Sequence, residues 1–218
     1  MSGAAALTPG PSPRGSGEQS LDPFYPIVDS AAWVARLVGA GAPLIQLRLK
    51  DRDERAVAEE TRSALATCRA AGATLVVNDY WRVAIDAGAS WVHLGQGDLD
   101  GADIGAIRAA GVKLGISTHD EAELERALAL APDYVALGPI YPTILKAMAF
   151  APQGLDRIGT WKRRIGAIPL VAIGGLSVER GRLCLAAGAD IVSAVTDITL
   201  NADPEGRVRE WVAATRPA

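Results

Sequence analysis

The chain predicts an α/β fold, a single-domain (β/α)8 TIM barrel, and three observations point there. Eight short apolar runs alternate with eight amphipathic segments from Phe24 onward. The joint Ala-Gly-Ala recurs at residues 71–73, 87–89 and 187–189, with Gly each time between a helical segment and the next apolar run. The fingerprint G-x-G-x-x-G is missing after the first run, which weakens the competing open doubly wound sheet. A length of 218 residues accommodates eight such units at the small end of the barrel's range.

Residues 1–20 are rich in Gly, Pro, Ser and Ala and contain no apolar stretch long enough for a signal peptide. They read as a disordered leader ahead of a barrel domain spanning residues 21–218. The apolar runs at 25–28, 44–49, 74–77, 91–94, 113–116, 134–137, 170–173 and 191–195 read as buried parallel strands. The helical segments fall at 30–39, 54–71, 81–87, 101–110, 121–131, 155–165, 178–187 and 204–215. Ser177 and Asp203 precede their helices as N-caps, and Gly72, Gly88, Gly111 and Gly188 end the preceding ones.

Composition narrows the function classes. Hydrophobic residues make up 49% and charged residues 22%, as in a globular protein, and the net charge of −3 argues against a general nucleic-acid binder. No apolar run has the roughly 20 residues of a membrane span. Cys68 and Cys184 form neither a metal motif nor a disulfide framework, which suits a reducing, cytoplasmic setting. Trp33, Trp81, Trp91, Trp161 and Trp211 serve either a core or an interface, which keeps a homo-oligomer open.

In such a barrel, chemistry belongs at the C-terminal ends of the strands, and the polar residues crowd there. Along Ile45-Gln46-Leu47-Arg48-Leu49-Lys50, alternation gives Gln46, Arg48 and Lys50 one face, directed into the mouth. Two cations and an amide there make an anion site, with the fork of Arg and the point charge of Lys both suited to phosphate. Asn78-Asp79 and Asp98 end the next two strands. Asp79 or Asp98 alone reads as a helix cap or a partner of Lys50; together, beside Arg48, they read as ligands for Mg2+, which pairs one or two carboxylates with phosphate oxygens and water. Ser117 can hold a phosphate or ring nitrogen, or cap a helix. His119 is either an acid–base or a helix cap, and His93 reads as a satisfied interior residue. The long connection opened by Gly138-Pro139-Ile140-Tyr141-Pro142-Thr143 and carrying Lys146 reads as a lid. Gly174-Gly175 and Thr196, after the last two strands, suit a phosphate held by backbone N–H groups.

Taken together, Gln46-Leu47-Arg48-Leu49-Lys50, Asn78-Asp79, His93-Leu94-Gly95-Gln96-Gly97-Asp98, Gly115-Ile116-Ser117-Thr118-His119, Pro142-Thr143 with Lys146, and Ala172-Ile173-Gly174-Gly175 resemble the thiamine-phosphate synthase family. The resemblance runs from about Phe24 to Ile198. It implies the same barrel and a transferase that joins hydroxymethylpyrimidine diphosphate to a thiazole phosphate, giving thiamine phosphate and pyrophosphate, with Mg2+ assisting a dissociative departure. It implies that Gln46, Arg48, Lys50, Asn78, Ser117 and Lys146 hold the pyrimidine diphosphate, with Arg48, Lys50, Ser117 and Lys146 the catalytic set. It further implies Asp79 and Asp98 as Mg2+ ligands, and Thr143, Gly175, Val195 and Thr196 as contacts to the thiazole phosphate. Two positions depart from the family pattern: Leu145 replaces a hydroxyl residue, and Thr196 stands where Ser is usual. A thiazole tautomerase on the same barrel, using His119 as acid–base without metal, and a non-catalytic phosphate-ligand binder are the alternatives.

Overall fold

The computed structural model describes residues 21–143 and 151–216; the expected leader, Leu145 and Lys146 lie outside them. Eight parallel strands close into one barrel in sequence order, each hydrogen-bonded to the next and the eighth to the first. They are β1 (Phe24–Val28), β2 (Leu44–Leu47), β3 (Thr74–Asn78), β4 (Trp91–Leu94), β5 (Lys113–Thr118), β6 (Tyr134–Leu137), β7 (Leu170–Ile173) and β8 (Ile191–Ala194). The helices are α1 (Ala31–Gly39), α2 (Glu54–Ala71), α3 (Trp81–Ala87), α4 (Ile104–Ala109), α5 (Glu121–Ala129), α6 (Gly154–Ile165), α7 (Val178–Ala186), α8 (Thr196–Thr199) and α9 (Pro204–Thr215). The barrel expected from alternation is therefore the observed fold.

Local chemistry explains the boundaries. The side chains of Ser30, Asp53, Asp103, Asp120, Ser177 and Asp203 each accept a hydrogen bond from a backbone N–H in the first turn of the following helix. Gly72 and Gly88 take left-handed backbone at the ends of α2 and α3. Several boundaries shift by one or two residues, and two of the differences from the sequence reading have a local cause. The helix expected at 101–110 is a short 3-10 turn, Leu99–Gly101, followed by α4, because Asp103 caps Ala106 and restarts the helix there. Strand β2 ends at Leu47 rather than 49, yet the Arg48 N–H still donates to the Val28 carbonyl, 2.8 Å away, so the alternation continues past the formal end.

Packing forms two layers. Inside the barrel lie Tyr25, Leu44, Val76, Trp91, Tyr134, Ala136, Val171 and Ile191. Between barrel and helices lies a larger core containing Trp161 and Trp211, both fully buried, with Phe24 stacked on Trp211 at 5.2 Å. Truncating a buried Trp of this kind costs about 3–5 kcal/mol. Because residues two apart in a strand share a face, Gln46, Asn78, His93, Ile173 and Ser193 also face the interior, each one step nearer the strand's C-terminal end than Leu44, Val76, Trp91, Val171 and Ile191. At four of these five positions, all but Ile173, the step toward the mouth changes an apolar side chain for a polar one.

Candidate active site

At the ends of β3 and β4, three charged side chains meet. The Lys50 ammonium pairs with the Asp79 carboxylate, and Asp98 lies within hydrogen-bonding reach of Asp79. Asp79 holds a left-handed backbone, φ +64°, which is uncommon for a residue with a side chain. Its N–H donates to the His93 carbonyl at 2.9 Å and its carbonyl accepts from Trp81 N–H at 2.8 Å, so both sides of the kink are tied down. Asp98 accepts from the Gly95 N–H at 3.1 Å. Partial burial, followed by the Asp79 charge and hydrogen bond, holds the Asp98 carboxyl above its usual pKa. Two carboxylates that resist sharing a site while both are charged form a donor set fitted to a divalent cation. No cluster of three or more His, Cys, Asp or Glu suited to metal occurs among the described residues. A cation here would therefore complete its shell with water or phosphate oxygens, the habit of Mg2+.

A hydrogen-bonded chain crosses the barrel interior beneath this cluster. Gln46 Nε2 donates to the Tyr25 hydroxyl at 2.7 Å, and the Tyr25 and Tyr134 hydroxyls are 2.9 Å apart. The Tyr134 hydroxyl lies 2.8 Å from His93 Nδ1, and His93 Nε2 lies 2.8 Å from Ser117 Oγ. In the tautomer whose Nδ1 accepts from Tyr134, His93 donates from Nε2 to Ser117 and leaves the Ser117 proton for a ligand; in the other neutral tautomer the line runs in reverse. Burial pushes the His93 pKa down to about 4, which keeps the ring neutral, as this arrangement requires. The Tyr134 ring stacks on His93 at 5.6 Å and covers Gly115, where a Cβ would overlap the ring. The expectation that His93 is a satisfied interior residue matches this geometry.

On the β6–β8 side a cleft of about 510 Å³ opens. Arg48, Thr143, Gly175, Val195 and Thr196 line it, together with Ile27, Trp33, Ile173 and Ser193. The loops after β6 and β7 are fastened together: Ile140 N–H donates to the Ile173 carbonyl at 2.9 Å and Tyr141 N–H to the Gly174 carbonyl at 3.0 Å. Gly175, at φ +66°, lies where a Cβ would overlap the Pro142 carbonyl oxygen. Its glycine thus serves the close approach of the two loops. β8 stops at Ala194, so Val195 and Thr196 begin the short α8 turn that the sequence reading did not contain.

Of the residues singled out, Lys50, Asp79 and Asp98 meet directly, and Ser117 and Gln46 terminate the interior chain. Asn78 is 4% exposed, and its Nδ2 has no partner among the described residues. Arg48 lines the β6–β8 cleft instead of joining the Lys50 cluster. His119 binds Glu123 through both its backbone N–H and its Nδ1, each at 2.7 Å, at the start of α5. Tyr25, Tyr134, Glu123 and Ser193 escaped the sequence reading. The first two are aromatic residues within apolar runs, where nothing local marks an inward hydroxyl.

A family model described as thiamine monophosphate synthase matches residues 24–198, which contain every element of the barrel through β8. The chain belongs to the thiamine monophosphate synthase family. A thiamine-phosphate synthase of Rhizobium etli is 62% identical over 197 residues, covering 90% of this chain and 97% of the relative. One from Neisseria meningitidis serogroup A is 46% identical, covering 87% and 93% respectively. Among solved structures, thiamine phosphate pyrophosphorylase from Pyrococcus furiosus superposes with a TM-score of 0.78 at 25% identity, covering 88% of this chain and 94% of that one. These matches make the chain one of a transferase family, and they do not favour the tautomerase or the non-catalytic binder.

Proposed function

We propose that this chain couples hydroxymethylpyrimidine diphosphate to a thiazole phosphate, releasing pyrophosphate and forming thiamine phosphate. The observation that carries the reading is the meeting of Lys50, Asp79 and Asp98 at one side of a barrel mouth whose relatives are named thiamine-phosphate synthase. In the reaction the bond between the pyrimidine methylene carbon and the diphosphate oxygen breaks, its electron pair leaving with pyrophosphate. The thiazole nitrogen lone pair then forms the new bond to that carbon.

Charge decides the roles. Lys50 stands beside Asp79, where negative charge accumulates on the departing diphosphate, and Arg48, from the neighbouring cleft, and Lys146 would add further positive charge. Asp79 and Asp98 would hold Mg2+, which neutralises diphosphate charge and so favours its departure. Gln46 and Asn78 bind the pyrimidine, and the Ser117 proton, oriented by His93, donates to a ring nitrogen. Thr143, Gly175, Val195 and Thr196 hold the thiazole phosphate through hydroxyl and backbone N–H donors. The apolar side chains of Ile27, Trp33 and Ile173 keep water from the cation formed as the diphosphate leaves. Cys68 and Cys184 are buried thiols whose pKa burial raises to about 11 and about 12, so both stay protonated and unreactive at neutral pH. No helix among the described residues is long and apolar enough to cross a membrane.

The test is pyrophosphate release from both substrates with and without Mg2+. Release that needs the thiazole phosphate and is lost with the metal is the expected result; no release with any thiazole phosphate overturns the reading.

A further inference from the structure

The roles above leave a buried hydroxyl in the mouth unused. Ser193 on β8 is 1% exposed, and its Oγ has no hydrogen-bond partner among the described residues. In register it stands between Tyr25 of β1 and Ile173 of β7. It lines the same cleft as Ile27 and Ile173. A buried hydroxyl without a partner weakens a fold, so its presence calls for something else to complete the bond.

The cleft is divided by chemistry. Thr143, Gly175 and Thr196 offer hydroxyl and backbone donors suited to a phosphate. Ile27 and Ile173 offer apolar surface suited to the face of a flat ring, and the Ser193 hydroxyl lines the same cleft, in register with Ile173. An aromatic heterocycle carrying a phosphate has the same division.

We propose that Ser193 is the polar contact for the ring of the acceptor, a five-membered nitrogen heterocycle bearing a phosphate; this rests on the synthase reading. The ring nitrogen spends its lone pair on the new bond to carbon and must face the pyrimidine. Ser193 therefore meets another edge of the ring. Its oxygen lone pairs, turned to that edge, favour a ring that becomes positively charged as the bond forms. Ser193 thus reads the ring, while the rim reads the phosphate.

Ser193→Ala is the test. The acceptor KM should rise about threefold, the loss expected for one buried C–H···O contact, with the KM for the pyrimidine diphosphate unchanged. The melting temperature should stay level or rise, because the substitution removes an unpartnered buried hydroxyl. Calorimetry with the thiazole phosphate alone should show the same threefold weakening. An unchanged acceptor KM and an unchanged calorimetric affinity overturn the assignment, as does a lowered melting temperature with affinity intact, which marks a structural hydroxyl. Wild-type protein that releases no pyrophosphate overturns the synthase reading itself. Weaker thiazole-phosphate binding by the variant would still support Ser193 in that case.

Discussion

His93 Nε2 lies 2.8 Å from Ser117 Oγ, and that contact ends a line of buried groups reaching back to Gln46 on the far side of the barrel. The tautomer of His93 decides whether the Ser117 proton turns to the imidazole or to the mouth. Tyr134→Phe removes the middle link while keeping the ring that stacks on His93. It leaves the Tyr25 hydroxyl and His93 Nδ1 without their partner, and stability should fall by about 1–3 kcal/mol in denaturant unfolding. Turnover should fall as well, since the His93 tautomer is no longer held. An unchanged pyrophosphate-release rate would show that Ser117 does not depend on the line.

His93 also makes stability depend on pH. Its folded pKa, pushed down to about 4 by burial, lies below the usual 6.5. Between those values the unfolded chain binds a proton that the folded chain refuses. Stability from this residue is therefore intact above pH 6.5, falls by about 3 kcal/mol as pH drops to 4, and levels off below. Unfolding midpoints of the wild type and His93→Gln, measured across this window, should differ in slope; parallel curves would remove His93 as the cause.

The barrel was legible in the sequence because its units repeat: caps such as Ser177 and Asp203 and stops such as Gly72 and Gly88 are local signals with local causes. The short α8 turn was not, since four residues carry no periodicity. The charged half of the site was legible too, because Lys50, Asp79 and Asp98 are costly to bury and stand at strand ends. The interior chain was not. Tyr25 and Tyr134 are 109 residues apart, and only barrel closure brings their hydroxyls together. Ser193 is a small residue in an apolar run, and its missing partner is visible only once every neighbour is in place.

Asp98 responds to pH in the opposite sense from His93. Its pKa is raised in the fold, first by burial and then by Asp79, so the folded chain holds a proton more firmly than the unfolded one. Stability from Asp98 therefore rises as pH falls through its folded pKa, and the charged form is a burden at neutral pH. Asp98→Asn should raise the melting temperature in metal-free buffer. It should also abolish any stabilisation by Mg2+ and lower turnover about a hundredfold or more, given the several kcal/mol a metal supplies to charge separation. Thermal scans with and without Mg2+ separate the effects: a variant stabilised by Mg2+ as much as the wild type would exclude Asp98 as a ligand.

Gly175 joins backbone geometry to the proposed acceptor site. Its left-handed φ of +66° and the Pro142 carbonyl beside it leave no space for a side chain. The Arg180 guanidinium donates to the Gly175 carbonyl at 2.7 Å and lies over the Tyr141 ring at 4.5 Å, so it ties Tyr141 to Gly175. In Gly175→Ala the new methyl must push the loop bearing Thr143 away from β7, at a cost of about 1–3 kcal/mol. Thr143 and Thr196 would then no longer converge on one phosphate. The KM for the thiazole phosphate should rise well above that of the wild type, while the KM for the pyrimidine diphosphate, held on the β2–β5 side, stays within about twofold. Equal increases in both constants would mean that the two halves of the mouth are not independent.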